Sequence, residues 1–240
     1  MLAKRITSLQ HPNVKHWTEL RKNRIYRMES KTILIAGKKA IREFPHSIKS
    51  LTTLEPSDID AAEKFLVSEE ILKKITGLEQ PDGFAAEVPM PSPQELSGKN
   101  FILILDQIQD PGNLGTLLRS ALALGWEGVI ATPGTVDFFN DKALRAGQGA
   151  IFRLPYSWQE PEEIQQTRSA VWVADLIGKP LASISWRPPL TLILSSEGQG
   201  PSAWTRNIGH RVSIPMQNSV ESINVSAAGA ILLYAMRQTP

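Results

Sequence analysis

The stretch FILILDQIQDPGNLGTLLRSALAL, residues 101–124, changes partway from one hydrophobic pattern to another. Its first five residues form a continuous apolar run, which is typical of a strand buried on both faces of a sheet. From Leu114 onwards, apolar residues recur at helical spacing as far as Gly125, which predicts a helix that ends at this glycine. A buried strand followed by a helix is the repeating unit of an α/β fold with a parallel sheet.

The same alternation continues towards the end of the chain. Apolar segments predict further strands at residues 128–131, 170–174, 190–194 and 211–214. Helical patterns follow near residues 142–147 and from about Val225. The C-terminal part is therefore predicted to be a parallel sheet covered by helices.

The residues before this part predict a smaller α/β unit. Predicted strands lie at residues 32–36 and 50–54, and predicted helices lie near residues 16–27, 38–44, 59–65 and 69–75. Four prolines between residues 78 and 98 are typical of a stiff, extended connector. We therefore expect an N-terminal domain at residues 1–92, a linker at residues 93–99 and a C-terminal domain at residues 100–240.

The composition excludes several kinds of chemistry. None of the 240 residues is cysteine, which rules out disulfides, thiolate metal sites and cysteine nucleophiles. The four histidines have no ligand-like spacing, so no metal is expected. The first residues are not followed by the apolar core of a signal peptide, and no apolar run is long enough for a membrane span. We therefore expect a cytoplasmic protein without a membrane partner.

The charge is distributed unevenly along the chain. The formal net charge is only +2, but residues 1–49 contain twelve Lys and Arg and three acidic residues, which gives +9. The remaining residues therefore carry −7. Such asymmetry indicates either an arm that binds a polyanion or a solvated basic helix face, and composition alone leaves both open.

Three polar loops follow predicted strands, at the edge where open parallel sheets bind ligands. The first loop runs from Asp106 into the helix that carries Arg119, and we expect Asn113 to cap this helix. The spacing alone is explained by a capped helix with an arginine that faces solvent. In the functional interpretation, Arg119 lies above the strand ends, beside the amides at the start of the helix.

The second loop, residues 194–203, contains a GxGxxA pattern that also matches a loose dinucleotide-binding fingerprint. That fingerprint requires an acid at the end of the next strand, and the predicted strand here ends without one. The third loop, residues 214–226, places Ser222, Asn224 and Ser226 where the last helix begins. A helix cap would explain one of these three polar side chains but not all of them.

In this order and spacing, the three loops resemble the three motifs of the SpoU/TrmH family, the RNA ribose 2′-O-methyltransferases of the SPOUT superfamily. The matching residues are Asn113, Gly115 and Arg119, then Ser196, Glu197, Gly198 and Gly200, then Ile214, Pro215, Met216 and residues 222–226. The resemblance covers residues 101–237. More weakly, residues 33–37 and the basic helix before them resemble the small RNA-binding domain that many members carry at the N-terminus.

The resemblance implies an α/β fold with a C-terminal parallel-sheet SPOUT domain that contains a deep trefoil knot, plus a small N-terminal α/β domain. It also implies S-adenosylmethionine as the cofactor and a homodimer as the assembly. The methyl acceptor would be a ribose 2′-hydroxyl of RNA, with rRNA favoured over tRNA.

The resemblance also assigns roles to residues. Arg119 would orient an RNA phosphate and the 2′-hydroxyl, because an arginine pKa above about 12 makes a poor general base. The expected catalytic residues are Arg119, Asn113, Glu197, Ser222 and Asn224. The expected cofactor-binding residues are Leu194, Ser195, Gly198, Ile214, Met216 and Ile223. The expected RNA-binding residues are Arg21, Lys22, Arg24, Arg27, Lys38 and Lys39.

The chain departs from the family pattern at a few positions. Ser195 and Asn218 stand where the family usually has glycine, and Pro201 stands where it usually has leucine. We expect Ser195 to tighten the cofactor pocket and to lower affinity. None of these changes removes an expected catalytic residue, so an active methyltransferase is the leading hypothesis. A methylation-inactive RNA-binding protein of the same fold is the first alternative, and an NAD-dependent dehydrogenase is the second.

Overall fold

The computed structural model describes residues 3–164, 170–196, 200–217 and 221–238, which contain two sheets with helices packed against them. The first sheet belongs to the N-terminal part. Its strands are β1 (Lys4–Ile6), β2 (Thr32–Ala36), β3 (Ser50–Thr53), β4 (Glu63–Val67) and β5 (Phe84–Pro89). Its helices are α1 (Pro12–Lys22), α2 (Arg24–Ser30), α3 (Lys38–Arg42) and α4 (Glu69–Thr76). The strand order is β1-β4-β3-β5-β2, with β5 antiparallel to both of its neighbours.

The second sheet belongs to the C-terminal part, and all of its strand pairs are parallel. Its strands are β6 (Phe101–Asp106), β7 (Gly128–Ala131), β8 (Tyr156–Trp158), β9 (Ala170–Pro180), β10 (Leu190–Ser195) and β11 (His210–Ser213). Its helices are α5 (Pro111–Ala123), α6 (Asp141–Gly147), α7 (Pro161–Ile164) and α8 (Val225–Arg237). The strand order is β11-β9-β10-β6-β7-β8. The predicted α/β class with a parallel C-terminal sheet is confirmed, and the trefoil knot stays a prediction.

Two predicted features of the N-terminal part are wrong. The helix predicted at residues 59–65 is replaced by strand β4, in which Phe65 and Val67 point into the core at the period of two that a strand requires. The proline-rich connector contains strand β5, because four consecutive apolar or buried residues before Pro89 lie inside the sheet. Pro89 ends β5, and a proline at the end of a strand leaves the hydrogen bonds of the strand interior intact.

The helix predicted at residues 16–27 is divided into two. Asn23 has extended backbone, and its side chain accepts a hydrogen bond from the amide of Tyr26 at 3.2 Å. Asn23 therefore ends α1 and caps α2. Strands β1 and β8 escaped prediction because each has only three residues, which is too short for a hydrophobic period to be recognised.

One apolar cluster contains buried residues of both sheets. Helix α6 packs against β2, and the rings of Phe44 and Phe152 meet edge to face with centroids 4.9 Å apart. An ion pair between Arg27 and Asp137 crosses the same boundary, and both side chains are almost completely buried. The N-terminal part is therefore packed firmly onto the C-terminal sheet.

Candidate active site

The candidate site is built where parallel strands β6 and β10 end side by side. Their register pairs Leu105 with Leu194 and Asp106 with Ser195. The first and second polar loops therefore leave the sheet at neighbouring positions, because the carboxyl ends of parallel strands share one edge. Helix α8, which follows the third loop, packs against both β10 and α5.

Helix α5 is capped by Asp110 and not by Asn113, so the predicted cap is wrong. The Asp110 side chain accepts a hydrogen bond from the amide of Asn113 at 2.7 Å, and Pro111 occupies the first helical position. Proline is favoured there because its missing N–H needs no partner at the start of a helix. Asn113 consequently lies within the first turn, where its side chain is available to the site.

Asn113 and Asn224 link the first loop to the third. The Nδ2 atom of Asn224 donates a hydrogen bond to Oδ1 of Asn113 at 2.9 Å. Oδ1 of Asn224 accepts hydrogen bonds from the amides of Ser226 and Ala227, at 2.9 and 3.3 Å, and so caps α8. These three contacts together fix which way the Asn224 amide points.

Five of the expected cofactor residues line one cavity beside this link. The cavity has a volume of about 180 Å³ and opens to solvent on one side. Its lining contains Leu194, Ser195, Ile214, Met216 and Ile223, together with Ser222. Apolar walls with a few polar side chains at the mouth fit an adenosine group that carries a polar, charged tail.

Two expected residues of the second loop, Glu197 and Gly198, lie outside the described residues. Asp175, which follows the buried part of β9, also lines the cavity and pairs with Arg211 at 3.4 Å. The motifs do not point to this acid, because it lies within a stretch whose hydrophobic pattern indicates a strand. Asp175 thus places a carboxylate in the cavity wall, and Arg211 already balances its charge.

Arg119 is exposed on α5, and it takes part in no hydrogen bond or ion pair within the part of the chain that the structure describes. Arg119 is the sixth residue after Asn113 in α5. This spacing places Arg119 about 9 Å further along the helix axis and about a third of a turn around it. The structure therefore brings Asn113 and Asn224 together next to Ser222 and the five described cofactor residues. Arg119 lies farther along α5 and is exposed to solvent.

Asp106 is a buried carboxylate at this edge that the sequence analysis did not single out. Its Oδ1 accepts hydrogen bonds from Thr132 Oγ1 at 2.8 Å and Trp204 Nε1 at 3.2 Å. Its Oδ2 accepts one from Ser195 Oγ at 3.2 Å. Asp106 thus connects the ends of β6, β7 and β10 with the segment after the second loop. Its position directly after the apolar run of residues 101–105 is the signal that could have identified it.

Glycines let the helices of the site approach closely. A Cβ atom on Gly115 would lie 2.4 Å from the carbonyl oxygen of Ala143, so only glycine allows α5 and α6 to pack at this distance. A Cβ atom on Gly229 would lie 2.3 Å from Leu117 and 2.7 Å from Leu194. Gly229 therefore permits the close packing of α8 that brings Asn224 to Asn113.

The expected RNA-binding residues occupy different environments. Lys22, Lys38 and Lys39 are exposed, and Arg24 stacks over the ring of Trp158 at 5.0 Å. Arg21 is half-buried in a cleft between the two sheets. Arg27 is buried and bound to Asp137 and to the carbonyl oxygens of α1, so its guanidinium holds the two parts together.

Among the described residues, no group of three or more His, Asp or Glu side chains could hold a metal ion. In the same residues, no helix combines the length and the apolar character that crossing a membrane requires.

Comparisons with known proteins agree with this architecture. Residues 100–234 match the model of the SpoU rRNA Methylase family. The 23S rRNA (guanosine(2553)-2′-O)-methyltransferase RlmP of Bacillus subtilis is 31% identical, over 98% of this chain and 99% of its own. The 23S rRNA (guanosine-2′-O-)-methyltransferase RlmB of Ralstonia nicotianae is 36% identical, over 60% of this chain and 61% of its own.

A solved structure extends the likeness to the whole chain. The AdoMet-bound rRNA methyltransferase from Sinorhizobium meliloti superposes with a TM-score of 0.86 and 26% identity, and the match covers 98% of each chain. The family match covers more than half of the chain and contains all three polar loops. The chain belongs to the SpoU rRNA methylase family.

Proposed function

We propose that this protein is an S-adenosylmethionine-dependent methyltransferase that acts on the ribose 2′-hydroxyl of RNA, and more specifically of rRNA. The hydrogen bond between Asn113 and Asn224 carries the proposal, because it joins the first motif to the third, in which the adjacent Ile223 lines the apolar cavity. Family membership and the names of the relatives, which are rRNA 2′-O-methyltransferases, support the substrate class.

The cavity fits the proposed cofactor. Leu194, Ile214 and Ile223 supply an apolar lining for the adenine ring, and Ser195 and Ser222 supply hydroxyls near the polar end. Bound S-adenosylmethionine supplies an electrophilic methyl group. Met216 and the backbone of the second and third loops complete the binding wall, with Gly198 as a further proposed contact outside the described residues.

The chain's own residues position the ribose and help its hydroxyl to react. A hydroxyl is a weak nucleophile until a neighbouring group polarises it, and a fixed geometry provides much of the rate. Arg119 orients an RNA phosphate and the 2′-hydroxyl, since arginine keeps its charge at neutral pH. Asn113, Asn224 and Ser222 form the polar shell around the ribose, and Glu197 is proposed to fix Arg119.

The RNA is proposed to contact the N-terminal domain, residues 1–92, which a linker at residues 93–99 joins to the catalytic domain, residues 100–240. Much of the +9 charge is offset, because Lys4, Arg42 and Lys49 pair with acids from beyond residue 49. The bases that remain available for phosphate are proposed to be Arg21, Lys22, Arg24, Lys38 and Lys39. Arg27 is left out of this set because its guanidinium already has buried partners.

The assembly is proposed to be a homodimer in the cytoplasm, formed through helix α8. This helix exposes the large apolar side chains Ile231 and Tyr234. Both line an open groove with Ile184 and Trp186. A contiguous apolar surface of this kind is typical of a protein–protein interface.

Cofactor binding and methyl transfer together test the proposed function. Calorimetry with S-adenosylmethionine should show binding to the purified protein, and labelled methyl groups should appear in rRNA. Binding of rRNA without cofactor binding or transfer would favour the methylation-inactive RNA-binding protein. Failure to bind S-adenosylmethionine at millimolar concentration would contradict the enzyme, and binding of NADH instead would favour a dehydrogenase.

A further inference from the structure

A second cavity lies between the two sheets, away from the cofactor cavity. Its volume is about 210 Å³, and it opens to solvent on one side. The N-terminal part contributes α1, the end of β2 and α3, and the C-terminal part contributes α6 and the residues after it. We call this cavity the interdomain cleft.

Arg21 is a cation without a counter-ion in the wall of the interdomain cleft. Its Nε atom is buried without a hydrogen-bond partner, and Arg21 belongs to no ion pair, within the residues that the structure describes. The guanidinium lies against Gly77, where even a Cβ atom would approach Nη1 to 2.3 Å. A half-buried charge without a partner costs free energy, and a bound anion would recover it.

The other charged side chains of the cleft already have partners. Arg145 pairs with Asp141 at 2.9 Å, and Glu43 lies within 3.5 Å of Arg153. The carboxylate of Asp82 accepts the amide of Lys38 at 2.7 Å. Lys39 lies 3.9 Å from Glu43. Arg21 is therefore the cation of the described lining that has no acidic partner, and a bound phosphate would supply one.

The rest of the lining suits a flat apolar group. Leu34, Ala40, Leu144 and Phe152 contribute hydrocarbon and an aromatic ring. Nucleic-acid bases of any identity stack on aromatic rings such as that of Phe152, and the three aliphatic side chains extend the apolar wall. An arginine beside an apolar wall thus matches the chemistry of one nucleotide, with its phosphate at Arg21 and its base against the wall.

Only helix α6 lies between the interdomain cleft and helix α5 of the candidate active site. Helix α6 presents Leu144 and Arg145 to the cleft, while its Ala143 and Gly147 lie against Gly115 of α5. One helix, about 10 Å in diameter, therefore separates the cleft from the helix that carries Asn113 and Arg119. A single RNA strand can span this distance.

We infer that the interdomain cleft binds one unpaired nucleotide of the RNA substrate and thereby helps to select the ribose that enters the active site. The inference rests on the proposed function. It concerns a nucleotide other than the one that is methylated. Its phosphate binds Arg21, and its base packs against the apolar lining of the cleft.

Arg21→Gln tests the phosphate contact, with Lys15→Gln as the matched control. Lys15 lies on the same helix, is exposed and lines no part of the cleft. Arg21→Gln should raise the KM for rRNA at least tenfold, leave the KM for S-adenosylmethionine unaltered, and lower the salt slope of RNA binding by about one. Lys15→Gln should change the KM for rRNA less than threefold.

Ala40→Phe tests the base contact without altering charge, because the larger ring fills the cleft. It should weaken RNA binding at least fivefold and leave the salt slope unchanged. Thermal unfolding of each variant checks that the protein is folded. The inference is overturned if Arg21→Gln lowers only the unfolding temperature, or if it and Lys15→Gln weaken RNA binding equally. A wild-type protein that transfers no methyl group would instead contradict the proposed function itself.

Discussion

Capping decides which polar side chains are available to the candidate site. Because Asp110 takes the cap of α5, Asn113 can accept the hydrogen bond from Asn224. Asn224 has two roles, since its oxygen caps α8 while its amide nitrogen reaches Asn113. A polar residue near the start of a helix can therefore cap the helix, contact another loop of the site, or do both. Its contacts with the neighbouring loop determine which of these roles it has.

Arg119→Ala should lower methyl transfer to background while cofactor binding stays within twofold of wild type. The reason is that Arg119 lies outside the cofactor cavity and has no structural partner among the described residues. Turnover with saturating rRNA and calorimetry with S-adenosylmethionine measure the two effects. Arg187→Ala, at another exposed arginine, serves as the control. Near-normal turnover of Arg119→Ala would contradict its role.

Asp106→Asn should raise the KM for S-adenosylmethionine about tenfold and change kcat much less. The carboxylate holds Ser195, which lines the cofactor cavity, and Trp204, which follows the second loop. An asparagine retains one acceptor oxygen but presents an N–H₂ group to the other donors. Steady-state kinetics with varied cofactor measure the effect. If the variant has a lower free energy of unfolding and a lower kcat but an unchanged KM for S-adenosylmethionine, Asp106 has a structural role only.

At the scale of elements, strand β5 is held by an unusual buried acid. Oε1 of Glu87 lies 3.0 Å from Nε2 of His16 in α1, and it accepts a hydrogen bond from Lys49 Nζ at 2.8 Å. Burial raises the pKa of the Glu87 carboxyl, but the hydrogen bonds from His16 and Lys49 outweigh burial and lower the pKa from 4.5 to about 2. The Glu87 carboxylate thus links β5 to α1 and to the start of β3.

Glu87→Gln should lower the free energy of unfolding by roughly 3 kcal/mol at pH 7. This value corresponds to the lowering of the Glu87 pKa from 4.5 to about 2 in the folded protein. Because the folded pKa is depressed, this stabilisation is complete above about pH 4.5 and is lost as the pH falls towards 2. Urea unfolding at pH 7 and pH 3 should therefore show a smaller difference between variant and wild type at pH 3. Glu63→Gln, which breaks an exposed pair with Lys4, should cost less than 1 kcal/mol. A difference for Glu87→Gln that does not change with pH would contradict the account.

Long elements with a clear hydrophobic period could be predicted from the sequence, and short or proline-bounded ones could not. Strand β6 is a continuous apolar run, and α8 begins at Val225 as predicted. Strand β5 was hidden because the prolines around residue 89 are equally typical of a connector. The motifs predict the site residues, but the contact between Asn113 and Asn224 depends on a separation of 111 residues that no local pattern encodes.

At the scale of the whole molecule, a buried ion pair and a shared core join the N-terminal part to the C-terminal sheet. Arg27 donates to the carbonyl oxygens of Leu20 and Arg21 and pairs with Asp137. Its basic charge looked like part of an RNA-binding arm in the sequence. The buried environment of Arg27 instead indicates a structural role. Loss of either Arg27 or Asp137 would leave the other charge unpaired in the protein interior.

Tyr234→Glu should convert the proposed dimer into monomers. Tyr234 is exposed on the apolar face of α8, and a carboxylate buried in an interface would lose its hydration without a partner. Sedimentation velocity of the wild type and the variant measures the change. Lys142→Glu, at an exposed position outside this groove, should leave the mass unchanged. A wild-type protein that sediments as a monomer at micromolar concentration would contradict the dimer.

The position of the transferred methyl group distinguishes ribose 2′-O-methylation from base methylation and from RNA binding alone. The protein is incubated with S-adenosylmethionine that carries a labelled methyl group and with rRNA from cells that lack the gene, and the digested nucleosides are analysed by mass spectrometry. The account predicts one labelled nucleoside with the methyl group on the ribose 2′-oxygen, and no such product with Arg119→Ala. A label on a base, or no label from folded protein that binds the RNA, would contradict it.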